Sequence, residues 1–131
     1  MDTVPISEAE ATVMEVLWRG SPRSAEEVIA ALAADTGWAE PTVKTLLNRL
    51  LNKGAISAEK DGRRYLYSPV LRREAWVQQQ SEGLLARLFG GRVAPLVAHF
   101  SERGKLGAAD IAELKRLVRE LDDGEEPGHE R

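Results

Sequence analysis

The chain of 131 residues contains no cysteine and only two histidines. Without cysteine, disulfides, thiolate metal sites and cysteine nucleophiles are excluded. The histidines are His99 and His129, far apart in the sequence, so no cluster of metal ligands is visible and we expect neither a metal nor another cofactor. His99 also lacks a neighbouring nucleophile and an orienting carboxylate. No catalytic residues can be assembled, and we expect the protein not to be an enzyme.

Long apolar runs are absent as well. No stretch approaches the roughly 20 apolar residues that span a bilayer, and the first residues lack the basic and apolar regions of a signal peptide. We therefore expect a cytoplasmic protein that does not insert into a membrane. The hydrophobic content of 43% and the charged content of 30% are typical of a folded globular chain.

The net charge is only -3, but it is unevenly distributed. Between residues 39 and 73, eight Lys or Arg residues stand against three acidic residues, so this segment carries +5 and the rest of the chain -8. Clustered cations attract nucleic-acid phosphates whatever the total charge of the chain. The basic segment is therefore where a nucleic-acid partner is expected to bind.

Two capping boxes mark the starts of the first two helices. Ser7 is followed three residues later by Glu10, and Ser24 by Glu27, so that each serine can cap a helix whose glutamate returns to the serine N–H. Apolar residues at helical spacing follow both boxes. Gly20 and Gly37 are expected to end the two helices.

A third helix is predicted between Pro41 and Gly54, because proline suits a first turn and glycine the left-handed end of a helix. Its apolar residues fall on one face when successive side chains are about 100° apart. The opposite face and its flanks are polar or basic, as a helix in the major groove requires. The residues predicted to face DNA are Thr42, Lys44, Thr45, Asn48 and Arg49.

A hairpin follows, with strands at about 56–60 and 63–68 joined by Asp61 and Gly62, a pair that favours a type I′ turn. Three helices and a hairpin are typical of a winged helix-turn-helix, in which the hairpin is the wing. Arg63 and Arg64 near the tip are predicted to bind phosphates, while Thr45 and Asn48 can reach base edges. For each residue taken alone, an ordinary solvated position is the alternative.

Three further helices are predicted, at about 72–89, 93–101 and 108–121. This part is close to the size below which a chain without disulfides needs a partner to form a core. We therefore expect a mainly α fold with a small β-hairpin wing: a winged helix-turn-helix over residues 1–70, a helical dimerisation segment over 71–121, and a disordered acidic tail over 122–131. The predicted dimerisation residues are Leu84, Leu88, Leu96, Val97, Phe100, Ile111, Leu114, Val118 and Leu121.

Several motifs resemble the family of penicillinase and methicillin-resistance repressors, which also includes copper-responsive repressors. The resemblance runs from Ile6 to about Leu121. It implies a homodimeric repressor that regulates antibiotic resistance and binds a palindromic double-stranded operator through its winged helix. The motifs that carry it are Ile6–Glu10, Val13–Trp18, Thr42–Leu50, Lys53-Gly54, and Leu88–Gly91 with Leu96-Val97.

The resemblance also implies a partner, a membrane-bound sensor metallopeptidase, and induction by cleavage of the dimerisation segment between Asn and Phe. The matching pair here is His99-Phe100, which keeps the Phe but not the Asn. Glu40-Pro41 is a second departure, since the family usually has Ser-Pro one position earlier. The alternative interpretation is a winged helix that binds an acidic protein and has no sequence-specific DNA binding.

Overall fold

The structure, a computed structural model, describes residues 4–124. These residues form six helices and one three-stranded antiparallel sheet, which agrees with the predicted mainly α fold and its small β wing. In chain order the elements are α1 (Glu8–Arg19), β1 (Arg23–Ser24), α2 (Ala25–Thr36), α3 (Glu40–Lys53), β2 (Ile56–Asp61), β3 (Arg64–Pro69), α4 (Arg73–Phe89), α5 (Val93–Glu102) and α6 (Ala108–Gly124).

Both predicted capping boxes are confirmed. The Ser7 hydroxyl accepts the N–H of Glu10 at 3.1 Å, and the Glu10 carboxylate accepts the N–H of Ser7 at 2.8 Å. Ser24 and Glu27 repeat the arrangement at 3.2 and 2.8 Å. These contacts are local in sequence, which explains why the starts of α1 and α2 could be predicted.

The sheet has the strand order β1-β3-β2, and its short first strand was not predicted. Arg23 pairs with Tyr67 in β3, while Asp61 pairs with Arg64 across the hairpin. The turn is therefore centred on Gly62 and Arg63, and the predicted type I′ turn at Asp61-Gly62 is wrong. Of these two turn residues, only Gly62 has a positive φ, of 66°. Glycine followed by a residue of negative φ is the pattern of a type II′ turn.

The core of the first structural unit is formed by α1, α2, α3 and the base of the sheet, with Leu71 buried beside them. This unit ends at Ser81, beyond the expected boundary at residue 70. The reason is that the start of α4 packs on α1: the rings of Trp18 and Trp76 lie 5.4 Å apart. In addition, the Arg73 guanidinium binds the Glu15 carboxylate at 3.1 Å.

The second unit begins at Glu82 and contains the end of α4 together with α5 and α6. None of its described residues is buried. Helix α6 continues to Gly124, so residues 122–124 are helical, whereas the prediction placed them in a disordered tail. The remainder of that predicted tail, residues 125–131, lies outside the described residues. Within residues 4–124, no helix is long and apolar enough to cross a membrane.

Candidate nucleic-acid interface

Helix α3 presents a polar face because its apolar residues are used by the core. Val43, Leu46, Leu47 and Leu50 are at most 5% exposed and hold the helix against α1 and α2. The residues predicted to face DNA are all exposed, as a reading helix requires; they are Thr42, Lys44, Thr45, Asn48 and Arg49.

The exposed side chains of α3 differ in whether they have partners. Those of Thr45, Asn48 and Arg49 form no hydrogen bond or ion pair with any described residue, so their polar groups remain available to a ligand. Lys44 instead lies 2.9 Å from Glu40, one turn earlier. The hydrogen bond that Lys44 donates to Glu40, and then the negative charge of Glu40, raise the pKa of Lys44. Because both side chains are more than half exposed, this pair is weak and can exchange with a phosphate.

The two arginines near the tip of the wing have different surroundings. Arg63 occupies the turn and has no hydrogen-bonding or ionic partner among the described residues. The Arg64 Nε lies 3.4 Å from a carboxylate oxygen of Asp61. The hydrogen bond with Ser24 lowers the pKa of Glu27 most strongly, and the nearby positive charge of Arg64 lowers it further. Of the two cations, Arg63 is the less compensated.

Sequence reasoning did not assign a role to Lys53, the last residue of α3. Its ammonium group lies 2.6 Å from Glu10 and 3.1 Å from the Pro5 carbonyl oxygen. Glu10 is 2% exposed. Burial raises its pKa most strongly, but the hydrogen bonds from Lys53 and Ser7 and the charge of Lys53 outweigh that effect and lower the pKa overall. The sequence identifies Glu10 as a capping residue and contains no sign of its partner 43 positions later.

The predicted dimerisation residues are divided between the elements of the second unit. Helices α5 and α6 form two open apolar grooves, one of about 970 Å³ that includes Val97, Ile111, Leu114, Val118 and Leu121. Val118 is 56% exposed and Leu121 72% exposed. The other groove includes Leu96 and Phe100. The remaining two predicted residues, Leu84 and Leu88, lie on α4 and line neither groove.

The pair His99-Phe100 lies in the last turn of α5. The His99 ring is 5.9 Å from the ring of Phe89 and 5.4 Å from that of Phe100. Both residues are exposed. Within residues 4–124, no three His, Asp or Glu side chains are grouped so as to hold a metal ion.

Helices α1 to α3 and the sheet with its β2–β3 hairpin define a winged helix-turn-helix, with α3 in the position of the recognition helix. The chain belongs to the penicillinase repressor family, whose model matches residues 6–120. Members of this family are repressors, which are regulators and not enzymes.

Relatives match along most of the chain. The penicillinase repressor of Bacillus licheniformis is 34% identical over 121 residues, covering 92% of this chain and 94% of the relative. The methicillin resistance regulatory protein MecI of Staphylococcus aureus is 28% identical over 116 residues, covering 88% of this chain and 94% of MecI.

Two solved structures resemble the chain over a shorter length. The DNA-binding domain of the repressor BlaI is 38% identical, with a TM-score of 0.52, and covers 57% of this chain and 93% of that domain. Monomeric Bacillus licheniformis BlaI in complex with the blaP half-operator is also 38% identical, with a TM-score of 0.51 and the same coverages of 57% and 93%.

Proposed function

We propose that this chain is a transcriptional repressor that binds a palindromic operator as a homodimer. The observation that carries the proposal is the exposed polar face of α3, whose Thr45, Asn48 and Arg49 side chains have no partner among the described residues. The chain's likeness to a BlaI domain solved on a half-operator supports it. In this proposal α3 lies in the major groove, where an asparagine amide can pair with adenine and a threonine methyl can contact thymine.

The wing binds the phosphate backbone beside the groove. Arg63 supplies a guanidinium at the turn that has no partner among the described residues. Lys44 and Arg49 flank the reading face of α3 with further positive charge. Backbone contacts of this kind set the register and orientation of a protein on DNA without specifying the sequence. They also make affinity depend on salt, because each neutralised phosphate releases counterions.

The homodimer forms through the grooves of α5 and α6. Large apolar side chains are exposed there in the single chain. Exposing a contiguous apolar surface to water is unfavourable, and such surfaces mark interaction sites. A second copy can cover the grooves symmetrically and place a second α3 on the other half of a palindrome. Joining two half-site contacts raises the affinity for the whole operator well above that for either half.

Relief of repression is proposed to involve a membrane-bound sensor metallopeptidase and cleavage between His99 and Phe100. The exposure of both residues supports access to this bond. A cut in α5 would separate residues that line the grooves and so weaken the dimer. In cells grown with penicillin, mass spectrometry should detect a fragment that begins at Phe100. Loss of repression without that fragment would contradict this part of the proposal.

Operator binding is tested by titrating the full chain against its own promoter fragment, with a scrambled fragment of equal length as the control, at several salt concentrations. We expect footprinting to reveal a protected palindrome and a clear preference for the promoter. Equal affinity for both fragments at every salt concentration would overturn the proposal. It would instead favour a winged helix that binds an acidic protein.

A further inference from the structure

The ammonium group of Lys53 connects the end of α3 to two neighbouring points near the start of the chain. It binds the carboxylate of Glu10 at 2.6 Å and the carbonyl oxygen of Pro5 at 3.1 Å. Glu10 lies in the first turn of α1, Pro5 precedes that helix, and Lys53 is the last residue of α3. One cation therefore ties the end of the recognition helix to the beginning of the fold.

Glu10 is a rigid anchor for this cation. It is 2% exposed, and the oxygen that accepts the Lys53 hydrogen bond also accepts the N–H of Ser7 at 2.8 Å. The capping box thus orients the carboxylate oxygen that accepts the Lys53 hydrogen bond. Because the two charges are in direct contact, the positive charge of Lys53 is compensated within the protein and contributes little to the attraction of phosphates.

Within residues 4–124, no other side chain of α3 makes a similar contact. Its N-cap residue, Ala39, makes no side-chain capping hydrogen bond. The Lys44–Glu40 pair lies within the helix and does not fix it to a neighbour. Among the described residues, Lys53 alone joins an α3 side chain by a hydrogen bond or ion pair to another element. The buried apolar residues of α3 pack it against the core, and this polar contact adds a directional constraint at the C-terminal end of the helix.

We propose that Lys53 is a positioning residue for operator recognition: through Glu10 it holds α3 where Thr45 and Asn48 reach base edges, and it is not itself a phosphate contact. This inference rests on the proposed function. It predicts an effect on sequence preference, because base hydrogen bonds form only over a narrow range of distance and angle. It also predicts that loss of the Lys53–Glu10 pair leaves the salt dependence of DNA binding unchanged. A charge that Glu10 already compensates releases no counterion on binding.

The test uses Glu10→Gln in the full chain. Glutamine can still serve in a capping box, so the substitution removes the ion pair and keeps the cap. Glu27→Gln is the matched control, because Glu27 occupies the same position in the second box and has no lysine hydrogen bond. Lys53→Met alone would leave a buried carboxylate unpaired, so it is made together with Glu10→Gln. Circular dichroism identifies a temperature at which all variants are folded.

Each variant is titrated against the promoter fragment and the scrambled fragment over a range of salt concentrations. For Glu10→Gln and for the double variant, the promoter preference should fall by roughly 5- to 150-fold, the equivalent of one lost base contact. The double variant removes one positive and one negative charge together, so its affinity for scrambled DNA and its salt dependence should match those of the unmodified chain. Glu27→Gln should keep the promoter preference. Lys60→Met, which removes an exposed cation of β2, should weaken binding to both fragments and reduce the salt dependence.

Three outcomes would overturn the inference while leaving the proposed function intact. The first is an unchanged promoter preference in both Glu10 variants. The second is an equal loss on both fragments, which would indicate only a smaller folded fraction. The third is a reduced salt slope in the double variant relative to the unmodified chain, which would identify Lys53 as a phosphate contact. Absence of promoter preference in the unmodified chain would overturn the proposed function and this inference together.

Discussion

Trp18 donates its indole N–H to the main-chain carbonyl of Leu71 at 2.9 Å, which joins the end of α1 to the segment leading into α4. The two residues are 53 positions apart, and Leu71 is 2% exposed. The contact therefore satisfies the carbonyl of a buried residue and fixes the point at which the chain leaves the sheet.

Trp18→Phe should destabilise the first unit. The phenyl ring keeps most of the packing against Trp76 but leaves the Leu71 carbonyl without its donor, at a cost of about 1 to 3 kcal/mol. Urea denaturation, followed by circular dichroism, measures the change in the free energy of unfolding. Trp38→Phe is the control, because the Trp38 indole makes no hydrogen bond with a described residue. Equal losses in both variants would show that ring size, not the hydrogen bond, is responsible.

The two arginines of the wing should contribute unequally to DNA binding. Arg63 has no partner among the described residues, so Arg63→Ala should reduce the salt slope of binding by about one unit. Arg64→Ala should reduce it by less, since Asp61 and Glu27 already compensate part of the Arg64 charge. Binding titrations over a range of salt concentrations provide both slopes. Lys105→Ala, in the second unit, is the control and should change neither slope nor affinity.

Those features of the fold that depend on neighbouring residues could be predicted from the sequence. The capping boxes at Ser7 and Ser24 are of this kind, because cap and partner lie three residues apart. The exposed face of α3 follows from its helical periodicity. Strand β1 contains only two residues and exists because β3 is beside it, so no local pattern indicates it.

The remaining features of the fold and of the candidate site depend on contacts between residues that are distant in the sequence. The first unit extends to Ser81 because Trp76 packs on Trp18, and neither residue by itself indicates the other as its partner. Lys53 illustrates the same limit for the candidate site. Its charge suggests a phosphate contact, whereas its position in the structure places it against Glu10.

The stability of the first unit should fall in acid through Glu10. Its pKa in the folded chain lies below the ordinary value of 4.5, so its contribution is complete above that value and is lost as the pH falls through the folded pKa. Urea unfolding between neutral pH and the acid limit of folding should show this decline. Glu10→Gln should be less stable at neutral pH and should lose less stability on acidification. A parallel decline in both proteins would contradict the assignment to Glu10.

Asn48→Ala should separate base reading from backbone attachment. If Asn48 pairs with a base, its removal costs about 1 to 3 kcal/mol on the operator and relaxes the sequence requirement at one position of each half-site. Binding to scrambled DNA should not change, because the side chain carries no charge. Competition titrations with operators changed one base pair at a time provide the comparison. Equal losses on operator and scrambled DNA would remove Asn48 from the reading face.

Val118→Asp should disrupt the dimer and leave the single chain folded. Val118 is 56% exposed and lines the larger groove of α5 and α6, so a carboxylate there is solvated in the monomer and buried without a partner in the dimer. Ala112→Asp introduces the same side chain on α6 at an exposed position outside both grooves, and it should remain dimeric. Sedimentation velocity measures the oligomeric state. Affinity for a full palindrome should fall in Val118→Asp towards that for a half-site, because linkage of the two half-site contacts is lost. A Val118→Asp protein that sediments like the unmodified chain would place the dimer contact elsewhere.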